Sequence, residues 1–88
     1  MQITEYILEI FEPNSANDCL ITFKSSNPFM TISPGDLLNP YAWDLGIKNL
    51  LKVVNVEHII WISGDEVKHK IEVFTKEVPD ARETKIEK

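Results

Sequence analysis

The sequence predicts an all-β domain, a five-stranded and strongly bent small barrel, and two observations carry that prediction. One is a long hairpin between Leu50 and Thr75, in which apolar and polar side chains alternate along both strands. The other is a series of short segments rich in β-branched and aromatic residues, separated by clusters of Pro, Gly, Asn and Ser. A chain of 88 residues is expected to form one domain.

The N-terminal segment, residues 4–11, favours a strand because it is rich in β-branched and aromatic side chains. A short N-terminal helix is the alternative, since Ile3, Ile7 and Ile10 also fit one face of a helix. The elements expected between this segment and the hairpin are strands at residues 19–24 and 29–32, a β-turn at Ser33–Asp36, the apolar pair Leu37–Leu38, and a loop with a helical turn at residues 41–49.

The hairpin has one self-consistent register. Even-numbered positions from 54 to 62 form an apolar face on the first strand, and odd-numbered positions from 67 to 73 form the matching face on the second. Pairing Ile62 with Val67 across a four-residue loop makes the two faces coincide. The remaining predicted pairs are Ile60 with His69, His58 with Ile71, Val56 with Val73, Trp61 with Lys68, Ile59 with Lys70, Asn55 with Phe74 and Glu57 with Glu72.

The apolar face of the hairpin is expected to close the core around Val56, Ile60, Ile71 and Val73. On the other face, the pair Glu57–Glu72 sets like charges opposite each other, which predicts a bulge, a cation from elsewhere or a different register. A strand of this length also predicts a strong bend that serves both sides of a barrel.

The face opposite the core is the predicted contact surface, with Trp61 beside Lys68 and Lys70. Aromatic rings beside lysines suit base stacking combined with phosphate contact. The same residues suit a subunit interface, which we favour because so small a chain gains stability from association. The domain is expected to span residues 1–75, followed by a charged tail at residues 76–88.

Few residues offer catalytic or metal chemistry. His58 and His69 have no Cys, Asp or Glu at metal-ligand spacing and are interpreted as core-edge histidines. Cys19, the only cysteine, is interpreted as a small buried hydrophobe, and Asp36 as a turn residue. The sequence therefore predicts no enzyme, no cofactor and no metal site.

The charge distribution bears on partners and location. The net charge is −5, and residues 1–47 hold six acidic residues against one lysine, whereas the remainder is balanced. An acidic chain disfavours nucleic acid, although the neutral second half can still present a local basic strip. The sequence has neither a run of about 18 apolar residues nor a signal-peptide pattern, so we expect a cytoplasmic protein without a membrane partner.

The hairpin junction, Ile62 to Val67, resembles the second motif of the Sm/LSm-like small barrels, which has the form Ile-Arg/Lys-Gly-x-x-Ile/Val. Ile62, Gly64 and Val67 match this motif, whereas Ser63 replaces its basic residue. The whole chain also resembles a group of marine-metagenome proteins thought to come from phages of cyanobacteria; the segments that carry this likeness are residues 27–29, 35–40 and 56–61.

This resemblance implies an Sm-like or SH3-like barrel that forms a homo-oligomeric ring, plausibly a pentamer, and handles RNA or single-stranded DNA. It implies that Ser63, Gly64 and Asp65 line the ring, so these residues join Trp61, Lys68 and Lys70 as predicted contacts. The alternative is a phage structural or adaptor protein whose β surface binds another protein. A phage origin would place the protein in the cytoplasm of the infected host cell.

Overall fold

The structure, a computed structural model, describes residues 2–47 and 49–79. Within these ranges no helix is long and apolar enough to cross a membrane. The described residues form five strands and one short 3-10 helix: β1 Ile3–Phe11, β2 Cys19–Ser25, β3 Leu37–Leu38, the 3-10 helix Pro40–Trp43, β4 Leu50–Ser63 and β5 Glu66–Val78. The all-β prediction is therefore confirmed, and the N-terminal segment is a strand rather than a helix.

The five strands form one strongly curled sheet in the order β2-β1-β5-β4-β3. β5 lies at the centre, antiparallel to β4 and parallel to β1, and β1 is antiparallel to β2. The parallel pair is a feature that the sequence analysis did not predict. β5 therefore has a partner strand on each side, β1 and β4, and its inner-face residue Val73 is fully buried.

The core lies on the inner face of the sheet, the face toward which it curls. Leu8 and Ile10 of β1, Val53 of β4, and Ile71 and Val73 of β5 form its buried centre. The side chains packed against this centre come from β2, from the chain between β2 and β4, and from β4 itself: Ile21, Phe23, Phe29, Ile32, Leu38, Trp43 and Val56.

The predicted strand at residues 29–32 is wrong, because these residues form no ladder. Phe29 and Ile32 instead cover the inner face as irregular chain. The predicted helical turn is confirmed as the 3-10 helix, and its Trp43 ring packs edge-on against Phe23 at 6.0 Å between ring centroids. Apolar content therefore predicted which residues contact the core, but it did not predict the secondary structure of the segment that contains them.

The predicted turn at Ser33–Asp36 is confirmed. The Asp36 amide donates to the Ser33 carbonyl at 3.0 Å, and Gly35 has φ +98°, as the third residue of a type II turn requires. The Asp36 carboxylate accepts from the Ser33 amide at 2.8 Å. Reciprocal bonds join the turn to Val53 of β4, so this turn fixes the base of the hairpin.

The predicted hairpin register is confirmed at every pair from Asn55–Phe74 to Ile62–Val67. The loop is tighter than expected, because Ser63 also pairs with Glu66 and only Gly64 and Asp65 connect the strands. Gly64 has φ +67° at the first central position, where a type II′ turn needs a positive φ. A bulge at Val54 bends β4 where the regular ladder ends, on the side away from the hairpin tip.

β5 continues three residues past the predicted domain boundary, through Lys76, Glu77 and Val78, which pair with the start of β4. The start of the expected tail therefore belongs to the sheet. Residues 80–88 lie outside the described residues.

Candidate functional site

The candidate site is the distal half of the hairpin, residues 57–72, which carries the predicted contact residues. Trp61 is paired across the strands with Lys68, and Lys70 follows on the same outer face two residues along β5. Ser63, Gly64 and Asp65 are exposed at the hairpin tip. The structure thus places a partly buried aromatic ring and two lysines on one face, next to the turn that resembles the Sm motif.

Both lysines are engaged by carboxylates of the same face. Lys68 Nζ lies 3.4 Å from Glu5 Oε1, and Lys70 Nζ lies 3.3 Å from both Glu9 Oε1 and Glu72 Oε2. The pKa of Lys70 is raised overall. Partial burial acts to lower it, but the hydrogen bonds to Glu72 and Glu9 have the larger combined effect. Two ammonium groups against three carboxylates leave this ladder with a charge of −1. It is not the free basic strip that phosphate contact requires.

The same ladder resolves the like-charge pair of the hairpin. Glu57 is opposite Glu72, and the register is regular at that point. None of the three alternatives given by the sequence is observed at this pair: the cation on the Glu72 carboxylate is Lys70, which lies two residues earlier on the same strand and not elsewhere in the chain.

On the inner face of the distal half the β4 side is exposed while the β5 side is buried at Val67 and Ile71, which corrects the predicted core. Val73 has 0% exposure and Ile71 8%, but Ile60 is 62% exposed and Ile62 is 66% exposed. Among the described residues, Val56 is the last residue of β4 toward the tip that packs against the buried cluster. Residues on one face of a strand therefore divide between core and surface according to how far the covering chain extends.

The free side of β4 is an open strand edge along the distal half. β3 pairs only with Leu51 and Lys52, so residues 54–63 have no second partner strand within the described ranges. In a hairpin with a two-residue loop, the pair that flanks the loop is hydrogen-bonded and the pairs then alternate. The backbone N–H and C=O groups of His58, Ile60 and Ile62 consequently point away from β5, toward the open edge.

One observation supports this assignment of the edge groups. By the same alternation the Val56 amide should also point outward, and it donates to the side-chain oxygen of Asn55 at 2.9 Å. A side chain thus caps the edge at Val56. Among residues 2–47 and 49–79, no side chain caps the backbone of Ile60 or Ile62 in this way, and both are exposed apolar residues nearer the tip.

A histidine pair lies on the inner face next to this edge. His58 Nδ1 and His69 Nε2 are 2.9 Å apart, and the edge of the Tyr6 ring approaches His69 at 5.9 Å between centroids. Burial, and secondarily the charge of His58, lower the pKa of His69. The sequence analysis interpreted both as core-edge histidines and did not predict that they bond to each other. The register contained the signal, because pairing His58 with Ile71 sets His69 at the diagonal position.

Cys19 is exposed, which corrects the prediction that it is buried. It begins edge strand β2, and its Sγ lies 3.3 Å from Thr22 Oγ1. Its position in an apolar segment favoured burial, but among the described residues β2 pairs only with β1, which leaves its far side open. Among residues 2–47 and 49–79, no group of three or more His, Cys, Asp or Glu is placed to hold a metal ion.

Comparison with known proteins finds no relative. No family model matches the chain, and neither a curated protein nor a solved structure is significantly similar to it.

Proposed function

We propose that this protein is a self-assembly module in which the open edge of β4 adds to a strand of a neighbouring copy. The single observation that carries this proposal is the edge itself. It presents unpaired backbone groups at His58, Ile60 and Ile62 beside two isoleucines that are 62% and 66% exposed. Strand addition satisfies the backbone groups and buries the isoleucines in one step.

The amino-acid composition of the β4 edge supports the proposal that another strand pairs with it. Folded proteins protect open edges with lysine, proline, inward charges or bulges. Between Val54 and Ser63 the sequence has no Lys, Arg or Pro, and Glu57 is its one carboxylate. The bulge at Val54 and the cap at Val56 protect only the lower part of the edge. An apolar edge left open over the remaining residues favours pairing with another chain.

A closed ring is the assembly that we propose. The sheet has a second open edge at β2, so β4 of one copy can pair with β2 of the next. Such head-to-tail contacts either close into rings or form open filaments. The resemblance to Sm-like proteins argues for ring closure and a pentamer. A structural or adaptor role in a phage, in the cytoplasm of the infected cell, belongs to the same proposal.

Contact with RNA or single-stranded DNA is the less supported part of the original hypothesis. Trp61 offers a ring for stacking, but the carboxylates of Glu5, Glu9 and Glu72 already hold the neighbouring lysines. An incoming phosphate would have to displace these carboxylates. Assembly is therefore the primary function proposed, and nucleic-acid binding is tested separately below.

The test uses Ile60→Pro with Ile60→Thr as its matched control. Both changes remove the exposed isoleucine. Only proline also removes the backbone N–H that faces the open edge. Because that N–H does not bond to β5, the proline leaves the hydrogen bonds between β4 and β5 intact. We expect multi-angle light scattering to show an oligomer for the parent, a weakened oligomer for Ile60→Thr, and a monomer with unchanged circular dichroism for Ile60→Pro. A parent that is monomeric at micromolar concentration contradicts the proposal, as does an Ile60→Pro variant that assembles like the parent.

A further inference from the structure

We propose that the outer face at the base of the hairpin binds a small organic phosphate that carries a flat aromatic ring, as a nucleoside monophosphate does. The site centres on Lys52 of β4 and Lys76 of β5, which lie directly opposite each other. It shares no residue with the open edge at residues 58–62, so it goes beyond the assembly proposal and does not depend on it.

The first argument is the lysine pair itself. Alternation along β5 places Lys76 on the outer face, the face of the ion-pair ladder, and its directly opposed partner Lys52 shares that face. The Cβ atoms of opposed residues are about 5 Å apart, a distance at which like charges destabilise the pairing. Within residues 2–47 and 49–79, neither ammonium group has a carboxylate partner, unlike the lysines of the distal half. The two charges therefore favour an anion that lies between them.

The second argument is the groove that begins at Lys76. Its volume is about 430 Å³, and Phe74 lines it next to this lysine. The bulge residues Val54 and Asn55 border it on one side and the loop residues 14–16 on the other. Small-molecule sites have volumes in this range and combine an apolar lining with a few polar groups. The apolar residues Phe74 and Val54 therefore suit the flat face of an aromatic ring.

The third argument is the pair of side-chain amides in this groove. Asn55 Oδ1 accepts from the Val56 amide, which leaves the amino group of its side chain able to donate to a ligand. The Asn14 side chain makes no hydrogen bond within the described part of the chain, and the Asn14 backbone amide donates to the Thr75 carbonyl at 2.9 Å, which holds the loop beside β5. Amide groups beside an aromatic side chain suit the hydrogen-bonding edge of a base that stacks on it. The groove thus fits a base, and the lysine pair fits the phosphate attached to it.

The test is titration of the isotope-labelled full chain with adenosine monophosphate at low salt, followed by backbone amide chemical shifts. Inorganic phosphate and adenosine serve as the two partial ligands. We expect saturable shifts at Asn55, Phe74 and Lys76, weaker binding at high salt, and weaker binding of each partial ligand. Lys52→Gln and Lys76→Gln should each lower the affinity roughly tenfold, because each removes one charge-assisted hydrogen bond to the phosphate.

Lys24→Gln is the matched control, because Lys24 is an exposed lysine of β2 that also has no ion pair within the described residues. It should bind as the parent does, and circular dichroism should be the same for all three variants. The proposal is overturned if no amide shift saturates, if either variant of the lysine pair binds as tightly as the parent, or if inorganic phosphate binds as tightly as adenosine monophosphate.

A phosphorylated oligonucleotide offers the same chemistry from a second source. If it binds more tightly than the monophosphate, the assignment to a small ligand is overturned. Light scattering of the same samples reports the oligomeric state, so the outcome for this site remains distinct from the outcome of the assembly test.

Discussion

The extent of the core can be tested by truncating two apolar residues of the same sheet face, Val73 and Ile60. Val73→Ala removes two methyl groups from a side chain with 0% exposure on the central strand. At about 0.8 kcal/mol per methyl the transfer loss is about 1.6 kcal/mol, and the residual cavity raises the cost to about 2–3 kcal/mol. Ile60→Ala removes three carbons from a side chain that is 62% exposed, which predicts a loss below about 1 kcal/mol.

The assay is urea unfolding followed by tryptophan fluorescence in a Trp61→Phe background, so that the signal comes from Trp43, whose ring packs against Phe23 over the core. Because Ile60 lies on the proposed assembly edge, each variant is measured at several protein concentrations, and the comparison uses the concentration-independent part of the free energy of unfolding. A loss for Ile60→Ala equal to or larger than the loss for Val73→Ala would refute the argument. It would mean that the distal inner face is buried, as the alternation of the sequence alone predicted.

Further predictions follow from the outer face, the histidine pair and the turn. Lys70→Met should lower the free energy of unfolding by about 1 kcal/mol, with a smaller loss in 1 M salt, because its carboxylate partners lose their cation; an effect that salt does not change would contradict an ionic origin. Stability should fall as the pH drops below the ordinary histidine pKa of about 6.5, because the pKa of His69 is lowered in the folded state and the unfolded chain binds the proton more readily; His69→Gln should flatten this dependence in urea titrations at a series of pH values. Gly64→Ala should cost about 1 kcal/mol in thermal unfolding, since φ +67° is strained for alanine, whereas no loss would mean that the turn relaxes. Labelled single-stranded RNA should bind weakly at low salt, and the pair Lys68→Glu with Lys70→Glu should abolish any salt-sensitive binding; affinity unchanged in that variant would exclude this face as the contact.

The hairpin register could be predicted because it depends on local information. Alternation assigned the faces, and one pairing, Ile62 with Val67, fixed all the others. The turn at Ser33–Asp36 was predictable for the same reason, since Pro34 and Gly35 suit the two central positions of a type II turn.

The errors concern contacts between residues distant in sequence. Ile3 of β1 pairs in parallel with Val67 of β5, and no local pattern in either strand specifies such a partner. The extent of the core depends on where Phe29, Ile32 and Trp43 lie over the sheet. Alternation states which residues share a face, but it does not state how much of that face another segment covers.

The exposed β4 side of the distal half raises the question of what holds this part of the hairpin in place. β1 pairs with β5 from Val67 to Val73, which includes nearly all of the β5 part of the distal half. Near the tip, the Thr4 hydroxyl donates to the Val67 carbonyl at 3.2 Å. On the outer face, Glu5 and Glu9 of β1 hold Lys68 and Lys70 of β5. Each exposed ion pair contributes little alone, but a ladder of them beside a continuous strand pairing resists splaying of the hairpin.

This arrangement has a consequence for binding. The distal half is supported from the β1 side and from the outer face, so its open β4 edge and the exposed β4 side of its inner face are held in place before any partner arrives. Association loses less free energy when the binding surface is already ordered. A flexible hairpin with the same side chains would bear the ordering cost during assembly. The ladder that removes free lysines from a nucleic-acid role is therefore the feature that suits the distal half to strand addition.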